Sequence, residues 1–102
     1  MKQLNTVREL ERLAVTPASD VLFQEVDGEV VLLSLRTGEY FGLNPVGART
    51  WVLLTQKQPW RAVLDDLLQH FDVPEERLVA DIGGFVDELG KSGLVKVISV
   101  AA

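Results

Sequence analysis

Polar and apolar residues alternate in the first half of the chain and recur at helical spacing in the second half. Two apolar runs, residues 21–26 and 29–35, flank Asp27-Gly28, a pair that suits the positive φ angles of a type I′ hairpin turn. A second turn at Arg36-Thr37-Gly38 leads to a third apolar run, residues 39–43. The pattern predicts a three-stranded antiparallel sheet with the third strand at an edge.

Three helices are predicted after this sheet. Asn44-Pro45 joins a capping side chain to a proline at the first helical position. Pro59 precedes a second helix, and Pro74 precedes a third whose first acids suit the positive end of the helix dipole. In the second helix apolar residues recur without a miss at the spacing of one helical face: Trp60, Val63, Leu64, Leu67, Leu68 and Phe71. The predicted fold is α+β and winged helix-turn-helix-like, with a three-stranded antiparallel sheet followed by three helices.

The ends of the chain are patterned more weakly. Residues 1–13 carry leucine and valine at a spacing of three, beginning at Leu4, and a break is expected at residues 16–19. Residues 94–100 alternate like a short closing strand. We therefore divide the chain into an N-terminal segment (1–19), a folded domain (20–97) and a C-terminal tail (98–102).

Composition excludes several classes of function. The chain has 102 residues, no Cys, a single His (His70) and a formal net charge of −5. These values predict one domain with no thiol chemistry and no cysteine or multi-histidine metal site. No signal-peptide core or membrane-length apolar run is present in the sequence, so we expect a cytoplasmic protein.

The candidate catalytic groups do not form a recognisable site. Asp65-Asp66 and Asp87-Glu88 are neighbours on predicted helices, where side chains diverge by about 100° and do not converge on one atom. His70 ends the second helix, where a cation suits the helix dipole. No phosphate-binding, dinucleotide, nucleophile-elbow or metalloprotease motif occurs. We predict no catalytic residue, no metal and no cofactor.

The predicted helix-turn-helix raises the possibility of DNA binding, but the charge of its last helix opposes it. Residues 72–91 hold six acids against Arg77 and Lys91. A recognition helix presents Arg or Lys to phosphates and base edges, so this helix is expected to be repelled by DNA.

Two features suggest a peptide-binding surface. The third predicted strand has no Lys or Pro to protect its edge, and an open edge allows a peptide to bind as an added strand. Gly83-Gly84 interrupts the third helix, where each Gly costs about 1 kcal/mol relative to Ala. Gly83 either lets another element pack closely or, with Val79, Val86 and Gly90, forms a shallow apolar groove. Residues 94–100 or the N-terminal segment are alternative partners for the edge.

Three segments together resemble the PqqD-like family. They are VVLLSLRTGEYFGLNPVGARTW (30–51), LLQHFDV (67–73) and DIGGFVDELGKSGLV (81–95), and their order and spacing are more specific than any one alone. Members of this family are small domains, also called RiPP recognition elements, that recognise the leader of ribosomally made, post-translationally modified peptides. The TG-YF-LN pattern at residues 37–44 is similar to that of the leader-binding proteins of lasso-peptide pathways.

The resemblance implies that the leader binds as a strand along the third strand and touches the last helix. It also favours the groove interpretation of Gly83. The expected peptide-binding residues are Glu39, Tyr40, Phe41, Gly42, Leu43, Val79, Ile82, Gly83 and Val86. The implied partners are a precursor leader and a maturation enzyme, either the leader peptidase and cyclase of a lasso pathway or, alternatively, a radical SAM enzyme of pyrroloquinoline-quinone synthesis. The sequence also allows two further hypotheses, a winged-helix DNA-binding regulator and an oligomeric module with paired strand edges.

The length of the turn at residues 36–38 determines the register of the third strand, and the distribution of charge indicates the kind of leader. A two-residue loop pairs Leu35 with Tyr40 and a three-residue loop pairs Leu35 with Glu39, and a slip of one residue exchanges the faces of Tyr40 and Phe41. Residues 13–44 and 72–102 carry most of the negative charge. We therefore expect a leader that is apolar at its anchors and neutral or basic around them.

Overall fold

The computed structural model describes residues 7–27 and 29–99. The helices are α1 (Val7–Glu11), α2 (Pro45–Thr55), α3 (Trp60–His70) and α4 (Glu75–Lys91). The strands are β1 (Leu13–Pro17), β2 (Val21–Val26), β3 (Glu29–Ser34), β4 (Tyr40–Leu43) and β5 (Val95–Ser99). Leu4, Gly28 and Val100, which belong to the sequence patterns above, lie outside the described residues.

The predicted three-stranded sheet is confirmed. Its antiparallel strands lie in the order β2-β3-β4, and Asp27 takes a positive φ of 52° in the first turn. Asp27 therefore adopts the backbone conformation that the sequence predicts for this hairpin, because Asp tolerates the left-handed region that the tight turn requires.

The register of the second hairpin differs from both predicted pairings. Leu33 pairs with Tyr40, and the Ser34 N–H donates to the Glu39 carbonyl at 2.9 Å, so the loop contains the four residues 35–38. The Gly38 N–H also donates to the Ser34 carbonyl at 2.7 Å, with Gly38 at a φ of 77°. Gly38 reaches this backbone conformation without the steric cost of a Cβ, which permits the longer loop.

A second, two-stranded sheet joins the two ends of the described chain. β1 pairs antiparallel with β5, from Leu13 opposite Ser99 to Pro17 opposite Val95. The break expected at residues 16–19 therefore begins too early, because β1 extends through Pro17. The closing strand is confirmed, but its partner is β1 and not the edge of the three-stranded sheet. The domain boundary at residue 19 stays a prediction, although β1 on one side of it pairs with β5 on the other.

The three predicted helices form where their start signals lie. The Asn44 side chain accepts a hydrogen bond from the Gly47 N–H at 2.7 Å, which caps α2. Pro59 and Pro74 directly precede α3 and α4, and Gly93, at a φ of 72°, follows the end of α4. Proline limits the chain to conformations that suit a helix start, and glycine permits the left-handed exit.

The core has two parts. One lies among the helices and is built on α3 and α4; the other lies between the three-stranded sheet and the helices, with Trp51 at its centre. Phe23 of β2 packs edge-on against Trp51, with ring centroids 6.1 Å apart. Trp60 donates from its indole Nε1 to the Leu13 carbonyl at 3.1 Å, which fixes β1 to the start of α3. Among the described residues, no helix has the length and apolar character needed to cross a membrane.

Candidate functional site

The edge of β4 is the first component of the candidate site. Among the described strands, β4 pairs only with β3, and β5 does not cover its other side. Hydrogen-bonded and non-hydrogen-bonded pairs alternate along an antiparallel ladder. Because Ser34 and Glu39 are a hydrogen-bonded pair, Phe41 and Leu43 direct their backbone groups to β3. The backbone N–H and C=O groups of Tyr40 and Gly42 therefore face the open edge.

A small cavity lies between this edge and α4. Its volume is about 210 Å³, below the range of about 300–1,000 Å³ that is typical of small-molecule sites. Its lining combines β4 and the C-terminal half of α4 with residues that follow each of them: Phe41, Gly42, Leu43, Asn44, Phe85, Glu88, Leu89, Ser92 and Leu94. A cavity of this size and composition suits an apolar side chain carried by a strand on the β4 edge.

A second cavity, of about 420 Å³, continues along α4 toward the start of α2. Asn44, Phe85 and Glu88 line both cavities, which therefore adjoin. Four of the α4 residues that line the two cavities recur at the spacing of one helical face, namely Asp81, Gly84, Phe85 and Glu88, and Ser92 continues this spacing just beyond the helix. We call the β4 edge with these two cavities the β4–α4 groove.

The structure places the predicted residues 39–43 along the open edge. Phe41 is paired with Leu32 and lies on the core side of the sheet, where it is half-buried. Tyr40 lies on the opposite face and is 72% exposed. The four-residue loop thus settles the face of each aromatic residue, which the sequence left open.

Most of the predicted α4 residues do not line the groove. Val79, Ile82 and Val86 are at most 2% exposed, and Gly83 is also buried. Val79, Gly83 and Val86 of the predicted stripe therefore lie in the helical core, whereas Gly90 is exposed. Contact of the predicted α4 residues with a bound peptide stays a prediction. Apolar residues on α4 pack against α2 and α3, and this burial occupies the face that the groove interpretation assigns to a ligand. Of the four, only Ile82 also lines a cavity of the groove.

The side of α4 that lines the groove is less evident in the sequence than the apolar stripe. This side contains one aromatic residue, Phe85, among small, aliphatic and acidic residues. The spacing of Phe85 from Leu78, Ile82 and Leu89 instead predicts that it lies on the core face of the helix. Phe85 is half-buried and lines both cavities. In the sequence, this side is indicated only by an aromatic residue, Phe85, at the border between the apolar face and the acidic face of α4.

The charged residues that line the groove are all acidic. Asp81 lies at the larger cavity and Glu88 at both.

The bidentate pair between Arg49 and Asp66, with bonds of 2.8 and 2.9 Å, joins α2 to α3 away from these cavities. Hydrogen bonding to Arg49 lowers the pKa of the Asp66 carboxyl, and the same bond raises the pKa of the Arg49 guanidinium. Local sequence does not show this pair, because the two residues are 17 positions apart.

No arrangement for catalysis is evident among residues 7–27 and 29–99. His70 lies at the end of α3, exposed, with its Nδ1 donating to the Asp66 carbonyl at 2.8 Å. No group of three or more His, Cys, Asp or Glu in these ranges is placed to hold a metal ion. A further cavity of about 630 Å³ lies between β1, β2 and the α2–α3 connection, and none of the predicted site residues lines it. The groove is therefore the feature that the predicted peptide-binding strand and α4 share.

Two solved structures have the same fold. TbiB1 in complex with the TbiA(beta) leader peptide is 32% identical, with 79% of this chain and 94% of that chain covered and a TM-score of 0.74. A lasso peptide synthetase B1 complexed with its leader peptide is 24% identical, with coverage of 81% and 98% and a TM-score of 0.74. No curated protein sequence matches the chain. The family model described as coenzyme PQQ synthesis protein D matches residues 29–95, which is well over half of the sequence, and the chain therefore belongs to the PqqD family.

Proposed function

We propose that this protein binds the leader segment of a ribosomally made precursor peptide as an added strand on β4 and delivers it to a maturation enzyme. The observation that carries the proposal is the open β4 edge beside two adjoining cavities. Backbone bonds to the edge supply affinity, and the cavities select side chains. The proposed contacts are residues 39–43 with Phe85 and Glu88 of α4.

The related structures support this assignment. TbiB1, which is 32% identical to this chain, is solved with a leader peptide. The maturation enzymes that we propose as partners are a leader peptidase and cyclase of the lasso type. In this proposal the chain itself performs no chemistry and acts in the cytoplasm, because precursor peptides are synthesised there by ribosomes.

A second candidate is a peptide chaperone for a radical SAM enzyme of quinone-cofactor synthesis. The description of the matching family, coenzyme PQQ synthesis protein D, favours it. Both candidates use the same groove and differ in the peptide and in the enzyme. DNA binding has no such support, because the charged residues that line the groove and most of those on α4 are acidic.

The first test is a titration of the protein with fluorescently labelled peptides. The probes are the TbiA(beta) leader and the leader of the precursor encoded beside the gene of this chain. We expect a dissociation constant of about 1 μM or lower for at least one of them, near −8 kcal/mol. Absence of binding by both at 100-fold higher concentration, with folded protein, refutes the function.

A matched pair at Gly42 tests strand addition directly. Gly42→Pro removes an N–H that faces the open edge, whereas Gly42→Ala keeps it and adds a Cβ that meets nothing within 4 Å. We expect Gly42→Pro to weaken leader binding about tenfold, which corresponds to about 1.4 kcal/mol, and Gly42→Ala to bind like the parent. Equal binding by the two variants, both folded by circular dichroism, contradicts binding through the β4 edge.

A further inference from the structure

Glu88 occupies the junction of the two cavities of the groove. In the part of the chain that the structure describes, its side chain makes no ion pair or hydrogen bond, and it lines both cavities. Neighbouring acids of α4 are engaged instead with cations of their own helix. Asp87 pairs with Lys91 at 3.0 Å, and Asp81 approaches Arg77 at 3.9 Å.

The surroundings of Glu88 favour a cationic partner from outside the chain. The lining of the two cavities includes Asp81 and Glu88 but no Lys, Arg or His. Glu88 is exposed, and Phe85 and Leu89, its neighbours on α4, line the smaller cavity with it. A carboxylate in this position attracts a basic group of a bound peptide and repels an acidic one.

We propose that Glu88 determines which leaders are accepted, by pairing with a Lys or Arg that lies near the apolar side chain bound in the smaller cavity. This inference rests on the proposed leader binding and adds the identity of one specificity-determining contact. In an added strand, successive side chains point to opposite faces. We therefore expect the basic residue at one defined position of the strand, and not distributed along the leader.

The test uses a set of leader peptides, each with a single Lys, Gln or Glu at one successive position of the strand. The host peptide is whichever of the two leaders binds in the titration above. The parent protein is expected to bind the Lys peptide about tenfold more tightly than the Glu peptide at one position. Glu88→Lys is expected to reverse this preference, and Glu88→Gln to abolish it. The advantage of the Lys peptide is also expected to decrease as NaCl rises from 50 to 500 mM, because salt screens exposed charges.

Glu76→Lys provides the matched control. Glu76 lies in the first turn of α4, is exposed and lines neither cavity, so this variant makes the same change of charge away from the groove. We expect it to keep the positional preference of the parent. If Glu88→Lys binds the host leader but keeps the parent's preference, the inference is overturned and leader binding stands. If Glu76→Lys reverses the preference as strongly as Glu88→Lys, net charge and not the Glu88 contact is responsible, which also overturns the inference.

Discussion

The Phe85 ring lies directly against Gly47: a Cβ built on Gly47 is 3.1 Å from Phe85 Cε1 and 3.1 Å from Asn44 Oδ1. Both distances are shorter than ordinary van der Waals contact. Gly47 therefore lets α2 approach the aromatic residue that lines both cavities of the β4–α4 groove. This close approach connects the start of α2, where Asn44 caps the helix, with the wall of the proposed binding site on α4.

Gly47→Ala is expected to weaken leader binding without unfolding the protein. The new methyl group displaces Phe85 or the Asn44 cap, while the gain in helix propensity of up to about 1 kcal/mol offsets the cost of this displacement. Thermal unfolding is expected to change by no more than about 1 kcal/mol, and peptide titration to show lower affinity. Parental affinity in a folded Gly47→Ala protein contradicts the role of Phe85 and Asn44 in leader binding.

Two glycines of α4 are expected to behave differently from Gly47. A Cβ on Gly84 meets nothing within 4 Å, and one on Gly90 meets Val97 Cγ2 at an ordinary 3.6 Å. Gly84→Ala and Gly90→Ala should each stabilise the fold by about 0.5–1 kcal/mol, because alanine loses less backbone entropy in a helix. Urea unfolding measures this gain.

The affinity for the leader provides a control for the Gly84→Ala and Gly90→Ala variants. Gly90 lines neither cavity of the groove, so Gly90→Ala is expected to bind the leader like the parent protein. Destabilisation by either substitution shows that α4 packs more tightly at that position than the distances indicate.

The pair between Arg49 and Asp66 predicts a small dependence of stability on pH. Its hydrogen bond lowers the folded-state pKa of Asp66 below the unfolded value of about 3.9. The resulting stabilisation is present above that unfolded value and is lost as pH falls through the lower folded-state pKa. The side chain of Arg49 is 42% exposed, so solvent limits the contribution to less than about 1 kcal/mol.

Asp66→Asn is therefore expected to lower the free energy of unfolding by up to about 1 kcal/mol at pH 7, and by less at pH 3. Urea unfolding at both pH values measures the difference. Asp65→Asn is the control, because Asp65 is exposed and has no ion pair among the described residues. An equal loss for Asp66→Asn at the two pH values excludes the ionised pair as its cause.

Local chemistry accounts for the parts of the fold that the sequence predicts. The Asp27 turn, the Asn44 cap and the prolines before α3 and α4 each act within a few residues, and the structure has them in place. The pairing of β1 with β5 was not predicted, because it joins Leu13 to Ser99 across most of the chain. Such a contact depends on how the elements between its partners pack, and no local signal records it.

The face of α4 that lines the groove could not be predicted from the sequence either. Two adjacent stripes of α4 fit the helical period, one through Val79 and Val86 and one through Phe85 and Glu88. Spacing alone does not tell which stripe faces α2 and α3 and which faces the β4 edge. The larger apolar content of the first stripe places it in the core, so the acidic stripe remains for the groove.

The opposite faces of Tyr40 and Phe41 predict opposite responses to truncation. Tyr40 is 72% exposed, so Tyr40→Ala should change the free energy of unfolding by no more than about 0.5 kcal/mol. Phe41 packs against the core beside Leu32, so Phe41→Ala should cost about 1–3 kcal/mol, below the roughly 3–5 kcal/mol of a fully buried Phe.

Urea unfolding of the two variants measures these costs, and peptide titration separates stability from binding. Tyr40→Ala keeps the backbone N–H and C=O that face the open edge, so leader affinity should decrease less than in Gly42→Pro. If Tyr40→Ala is the more destabilising substitution, the β3–β4 register is shifted by one residue. Phe41 would then direct its backbone to the open edge, and the strand-addition test at Gly42 would have to move to Phe41.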